Sequence, residues 1–171
     1  AAALAVAHHM GIDMASACGS IERFRGVHRR FELTGTLYGA ELFHDYGHNP
    51  AEIKNALSIA RRRCRKGRLW AVVQPHTYSR TEAFLEEFAD KLSMADAVIL
   101  AEIYAAREKN IHGTSSRQLQ QLLAEKGKER YYFPTFDEIE NFLLEKCESG
   151  DVFITMGAGD VVIIGDHILG N

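Results

Sequence analysis

Three short polar turns hold most of the side chains able to do acid–base or anion-binding chemistry. The first, Asp45-Tyr46-Gly47-His48-Asn49-Pro50, places a carboxylate and an imidazole beside a helix start. That pair suits a sugar diol and a flat base, and it equally suits a turn whose own backbone needs partners. The second, Gln74-Pro75-His76-Thr77-Tyr78-Ser79-Arg80-Thr81, sets His76 and Arg80 where another helix begins. A carboxylate or phosphate there would meet a guanidinium fork, an imidazole and free backbone N–H groups together. A purely exposed Arg80 in a first helical turn would oppose the helix dipole, which favours an anion partner. The third turn runs from Glu102 through Tyr104, Arg107 and Glu108 to His112. Gly157-Ala158-Gly159-Asp160 lacks the third glycine of a dinucleotide fingerprint, Val162 standing in its place, and reads as a tight turn.

These turns need a frame, and the hydrophobic pattern supplies one. Apolar runs at Leu69–Val73, Ala97–Ile103, Tyr131–Phe133 and Val152–Met156 alternate with helical periodicity over Pro50–Lys66, Arg80–Ser93, Ser116–Lys126, Phe136–Cys147 and Val161–Leu169. A hairpin pairing Phe31–Leu33 with Leu37–Phe43 through Thr34-Gly35 precedes them. The pattern predicts an α/β fold: a Rossmann-like, three-layer αβα sandwich around a mainly parallel sheet. In such a sheet ligands sit outside the carboxyl ends of the strands, where the polar turns fall. Helix starts are expected at Asn49-x-x-Glu52, Ser79-x-x-Glu82, Ser115-x-x-Gln118 and Thr135-x-x-Glu138 from capping chemistry. The run Arg61 to Lys66 reads as positive charge complementing a helix C-terminus, with Gly67 as the C′ residue.

With 171 residues and 46% hydrophobic composition, the chain holds one domain, or one domain carrying part of another. Ala1–Ala7 is too short to span a bilayer. Twenty Lys and Arg against 23 Asp and Glu leave no excess for a dedicated nucleic-acid binder. Cys18, Cys64 and Cys147 are odd in number and lack metal or disulfide spacing, so free thiols, a reducing cytoplasmic setting and no metal site are expected. His8 and His9, on a leading alanine-rich helix over Ala1–Met10, do not share a face and read as surface residues. A second short helix is expected over Met14–Phe24. No phosphate-cradling G-x-x-x-x-G-K-[ST] occurs. The opening Ala-Ala-Ala-Leu has no methionine, basic segment or cleavage pattern and reads as cut from something longer.

Taken in order, Phe24-Arg25-Gly26-Val27-His28-Arg29-Arg30-Phe31-Glu32, Asp45-Tyr46-Gly47-His48-Asn49-Pro50, Gln74 to Thr81, Tyr104-Ala105-Ala106-Arg107-Glu108 and Gly157-Ala158-Gly159-Asp160 resemble the C-terminal domain of the Mur ligases. The second turn is most similar to that of the family's alanine-adding members. Murein-tripeptide recycling ligases and folylpolyglutamate synthases share less of it, and a lone nucleotide-binding module is the rival from another class. The resemblance implies residues 1–24 as closing helices of a central ATPase domain and 25–171 as the amino-acid-binding domain. It implies an ATP- and Mg2+-dependent ligase, cytoplasmic and bacterial, joining L-alanine to the carboxylate of UDP-N-acetylmuramate through an acyl phosphate. The ion would be held mainly by the central domain, and the fragment would need its N-terminal and central domains to act. Carried over by position, Asp45 looks like the ribose acceptor, His48 a residue against the nucleotide with Tyr46 and Asn49 shaping the turn, and Arg30 a phosphate contact. Arg80 and His76 look like the alanine site, with Tyr104 and Arg107 around it. His44 and Asn49 stand where this enzyme type often has aspartate and a second histidine, and Thr77 where some members have another arginine.

Overall fold

Five of the six strands have their polypeptide direction in common, which sends five strand ends to one edge. A computed structural model describes residues 2–24 and 26–170; the domain boundary expected at Arg25 falls on a residue outside these. The elements are α1 (Ala2–His9), α2 (Met14–Glu22), β1 (Glu32–Leu37), β2 (Ala40–Asp45), α3 (Pro50–Arg63), β3 (Leu69–Val73), α4 (Tyr78–Ala83), α5 (Leu85–Leu92), β4 (Ala97–Leu100), α6 (Ser116–Glu125), β5 (Glu129–Tyr132), α7 (Phe136–Lys146), β6 (Val152–Met156) and α8 (Ile163–Leu169). The sheet order is β1-β2-β6-β3-β4-β5, with β1 antiparallel to β2 and the remaining neighbours parallel.

Chain order explains the layering. From β2 to β5 the connections keep α3, α5 and α6 on one face, over Phe43, Leu69, Ala71, Val73, Val98 and Ile154. The return from β5 to β6 carries α7, and then α8, across the other face over Leu42, Trp70, Val72, Ile99 and Phe153. Strand residues alternate between these two cores as period-2 geometry requires. β6 therefore sits between β2 and β3 while its chain leaves toward the opposite face from theirs, which opens a crevice at that edge. Asp45 and Val73 both lie level with Met156, so the three strand ends are flush.

Several local expectations are corrected. The hairpin turns through Tyr38-Gly39, where both residues have positive φ (50° and 88°), as a two-residue turn matching strand twist requires. Thr34-Gly35 instead lies within β1 at a register shift, and Gly35 is small because α8 presses on it: a Cβ there would meet Leu169 Cδ1 at 2.5 Å. α3 stops at Arg63 with Cys64 already extended. Gly67 is not a left-handed cap; a Cβ on it would lie 2.3 Å from the Gly150 carbonyl oxygen, so backbone approach selects it. The helix expected over 80–93 divides at Phe84 into α4 and α5. β4 ends at Leu100, short of Ile103, and β5 starts two residues early because its edge position tolerates Glu129 and Arg130. The Asn49, Ser115 and Thr135 starts stand, the first with Asn49 accepting from Glu52 N at 3.0 Å.

Candidate functional site

The strand ends bring the four polar turns together, and three of them supply a row of rings. Tyr46 and His48 come from the turn after β2, His76 and Arg80 from the turn after β3, and Tyr104 from the segment after β4. Their rings form a row: Tyr46 lies 5.4 Å edge-on from His48, His48 is 5.8 Å from His76, and His76 stacks on Tyr104 at 5.5 Å. Cations stand at the Tyr46 and His76 stations. The Arg29 and Arg30 guanidiniums lie over the Tyr46 ring at 4.9 and 5.2 Å, and Arg80 Nη1 reaches His76 Nδ1 at 3.0 Å.

Backbone ties hold the row. Tyr104 N donates to the Pro75 carbonyl and Thr77 N to that of Tyr104, continuing the β3–β4 ladder past its ends. This pins Thr77 at φ 67°, ψ 144°, a region costly for a β-branched residue, and thereby aims the first turn of α4. The expected Ser79 cap is replaced from outside: Glu108 accepts from Ser79 N at 2.9 Å and from Ser79 Oγ at 2.6 Å, which holds its carboxyl below the usual range. Gln74, buried at the end of β3, donates to Asp160 and accepts from Val161 N, locking the turn after β6 against that after β3. Gly159 supplies the floor, since a Cβ there would sit 2.9 Å from Tyr104 Cγ.

The electrostatics favour a neutral His76 imidazole. Burial, then Arg80 and His48, lower the His76 pKa. With Arg80 donating to Nδ1, the His76 ring carries its proton on Nε2. His48 Nδ1 donates to the Tyr46 carbonyl oxygen at 3.1 Å.

The remaining sequence candidates fall as follows. Asp45 is nearly buried: Oδ2 accepts from Phe31 N at 2.8 Å and Oδ1 from Gly47 N at 2.7 Å, so it staples two backbone segments while each oxygen keeps a second lone pair. Asn49 acts as the cap of α3. Arg30 is exposed, with Nη1 4.0 Å from Glu52 Oε1. Arg107 is exposed and makes no hydrogen bond or ion pair among the described residues; the structure does not bring it into the row. Sequence reasoning missed Arg29, whose side chain crosses the crevice to the Gly159 carbonyl at 2.8 Å and His44 Nε2 at 3.1 Å. The available signal was His44 itself, a polar residue on the inward side of a buried strand.

Comparison with known proteins gives this arrangement its context. The family model described as "Mur ligase, glutamate ligase domain" matches residues 29–159. Over 98% of this chain, a UDP-N-acetylmuramate–L-alanine ligase of Agathobacter rectalis is 50% identical and one of Lachnoclostridium phytofermentans 46% identical, the match covering 36% of each. The crystal structure of the Thermotoga maritima UDP-N-acetylmuramate-alanine ligase superposes with a TM-score of 0.82 at 27% identity, covering 98% of this chain and 35% of that one. The chain thus spans about a third of the length of the relatives it matches. The row of rings and the sheet that aligns it lie inside the matched region, and the chain belongs to the Mur ligase family.

Proposed function

We propose that this chain is the amino-acid-binding part of an ATP-dependent ligase that joins L-alanine to the carboxylate of UDP-N-acetylmuramate in peptidoglycan precursor synthesis in the bacterial cytoplasm. The observation that carries the reading is the Arg80–His76 pair, backed by Tyr104 at one end of the aromatic row. A free amino acid offers one carboxylate and one ammonium. Arg80 is the group suited to the carboxylate, in a fork-to-fork pair. When Arg80 turns to that carboxylate it releases His76 Nδ1, and a neutral imidazole is then free to take a proton from the ammonium. Holding the amine beside the activated carboxyl and keeping water away are the remaining contributions.

The Tyr46 end suits the nucleotide, which supplies the phosphoryl group that activates the acid. Asp45 retains lone pairs for a ribose hydroxyl, His48 and Tyr46 offer flat surface, and Arg30, exposed over Tyr46, is free to meet phosphate. Among the described residues no three His, Cys, Asp or Glu side chains converge to hold an ion. We place the donor set for Mg2+ mainly in the central domain. We read residues 1–24 as the end of that central domain and 25–171 as the C-terminal domain. Supporting this, α1 and α2 lie against one another and bury only Ala17, while the family match begins at Arg29. No helix among the described residues is long and apolar enough to cross a membrane.

The test is kinetic, on the longer enzyme. Arg80→Ala raises the KM for alanine far more than that for ATP, by about 10- to 100-fold for a lost charged pair. An unchanged alanine KM removes Arg80 from the site.

A further inference from the structure

We infer that His44 is a positioning residue: as a neutral ring acceptor inside the sheet, it clamps the Arg29 guanidinium across the turn after β6 and above Tyr46. His44 is fully buried on β2, paired in register with Glu32 of β1 and Thr155 of β6. Arg29 Nε donates to its Nε2 at 3.1 Å, and its Nδ1 lies 2.9 Å from Thr155 Oγ1. A guanidinium cannot accept, so the ring must carry its proton on Nδ1 and give it to Thr155. Thr155 Oγ1 in turn donates to the Phe43 carbonyl at 3.3 Å, which completes a chain with one direction.

The clamp fixes more than one side chain. Arg29 Nη2 donates to the Gly159 carbonyl at 2.8 Å, and the Arg29 carbonyl accepts from Tyr46 N at 2.7 Å. Arg29 and Phe31 both adopt positive φ, 61° and 46°, a conformation that persists only where surroundings enforce it. The segment entering the sheet is thus held by one arginine, through its carbonyl to the Tyr46 turn and through its guanidinium to the floor of the aromatic row. A second proton on His44 would set N–H against N–H and break the clamp. Burial first, then Arg29, push the His44 pKa down to about 4, while Glu32 opposes and His28 adds to the shift. Glu32 is itself engaged by Arg29 N at 2.7 Å and by His28 Nδ1 at 2.9 Å. A carboxylate at position 44, kept ionised by the guanidinium, would release it only at lower pH than the imidazole does.

The clamp stands apart from the ligase reading; only its consequence for catalysis rests on that reading. The experiment is nitrogen-detected histidine and arginine NMR on this 171-residue chain. At pH 7 His44 is expected as the neutral Nδ1–H tautomer, with Arg29 Nε–H exchanging about tenfold or more slowly than Arg30 Nε–H. Acidification toward pH 4 abolishes that difference in the wild type, His44→Asp retains it, and His44→Phe lacks it at every pH. Should the Phe variant fail to fold, the wild-type and His44→Asp pH dependences still decide. A charged or Nε2–H imidazole at pH 7, or identical pH dependence in wild type and His44→Asp, overturns the proposal. In the complete enzyme, a wild-type acid limb that His44→Asp moves to lower pH supports the catalytic consequence. Failure of that enzyme to join alanine at all would remove the ligase reading and leave the clamp intact.

Discussion

Gly159→Ala is the most informative perturbation because the glycine forms the floor on which the aromatic row rests. An added Cβ would lie 2.4 Å from Gln74 Oε1 and 2.9 and 3.0 Å from Tyr104 Cγ and Cδ2. Non-bonded carbons are comfortable at about 3.5–4.0 Å, so the ring must retreat by roughly 0.5–1 Å. The Gln74 amide must also move, and it holds the turn through Asp160 and Val161 N. Overpacking costs about 1–3 kcal/mol and a stranded buried N–H about as much; because the two share one relaxation, the total falls near 2–4 kcal/mol. For a domain of this size that is a fall in Tm of roughly 5–15 °C. Urea and thermal unfolding of the chain read the stability, and ring NMR of Tyr104 and His76 reads the displacement. On the proposed ligase reading the alanine KM of the longer enzyme should rise more than that for ATP, since Tyr104 stacks directly on His76 whereas Gly159 reaches the Tyr46 end only through its carbonyl and Arg29. A variant within about 0.5 kcal/mol of wild type, with Tyr104 and His76 shifts unaltered, refutes the account of how the row is supported.

Two further outcomes follow from geometry away from the row. Gly67→Ala would drive a methyl into the Gly150 carbonyl and Asp151 N at 2.3 and 2.5 Å, both backbone atoms, and should cost about 3 kcal/mol or more in urea unfolding; a loss below 1 would mean the two loops separate freely. Stability between pH 6.5 and 4 should fall as acid is added. His44 has its folded pKa lowered to about 4 from 6.5, so the unfolded chain binds the extra proton in that window and the neutral ring's contribution, about 2–3 kcal/mol in all, is lost on the way down. His44→Gln should flatten this slope relative to wild type, and equal slopes in pH-resolved denaturation would contradict it.

Much of the architecture is legible from local pattern. The β3 and β6 runs are continuous apolar segments with turn signals at both ends, and the Asn49 and Thr135 caps announce their helices, because these features depend on neighbours within a few residues. The hairpin turn misleads for the same reason: Tyr38 has the profile of a strand residue, and only pairing across Ala40–Leu37 obliges it to take positive φ. Gly35, Gly67 and Gly159 look alike as letters, yet each is required by a different partner distant in sequence: α8, the Gly150 backbone and Tyr104. Ser79 likewise reads as a cap until Glu108, 29 residues away, takes its amide.

By itself the sequence determined the layered α/β architecture, the polar turns at the strand ends, and the placing of His76 and Arg80 together where a helix begins. Tertiary structure alone decided that Arg29 and not Arg30 crosses the crevice, that Asp45 is a backbone staple, that Arg107 stays outside, and that Tyr104 belongs to the row. The reason is physical: periodicity and capping are set by contacts within one turn of chain. A hydrogen-bond partner for a buried imidazole or guanidinium is chosen by whichever strand end the sheet order brings beside it.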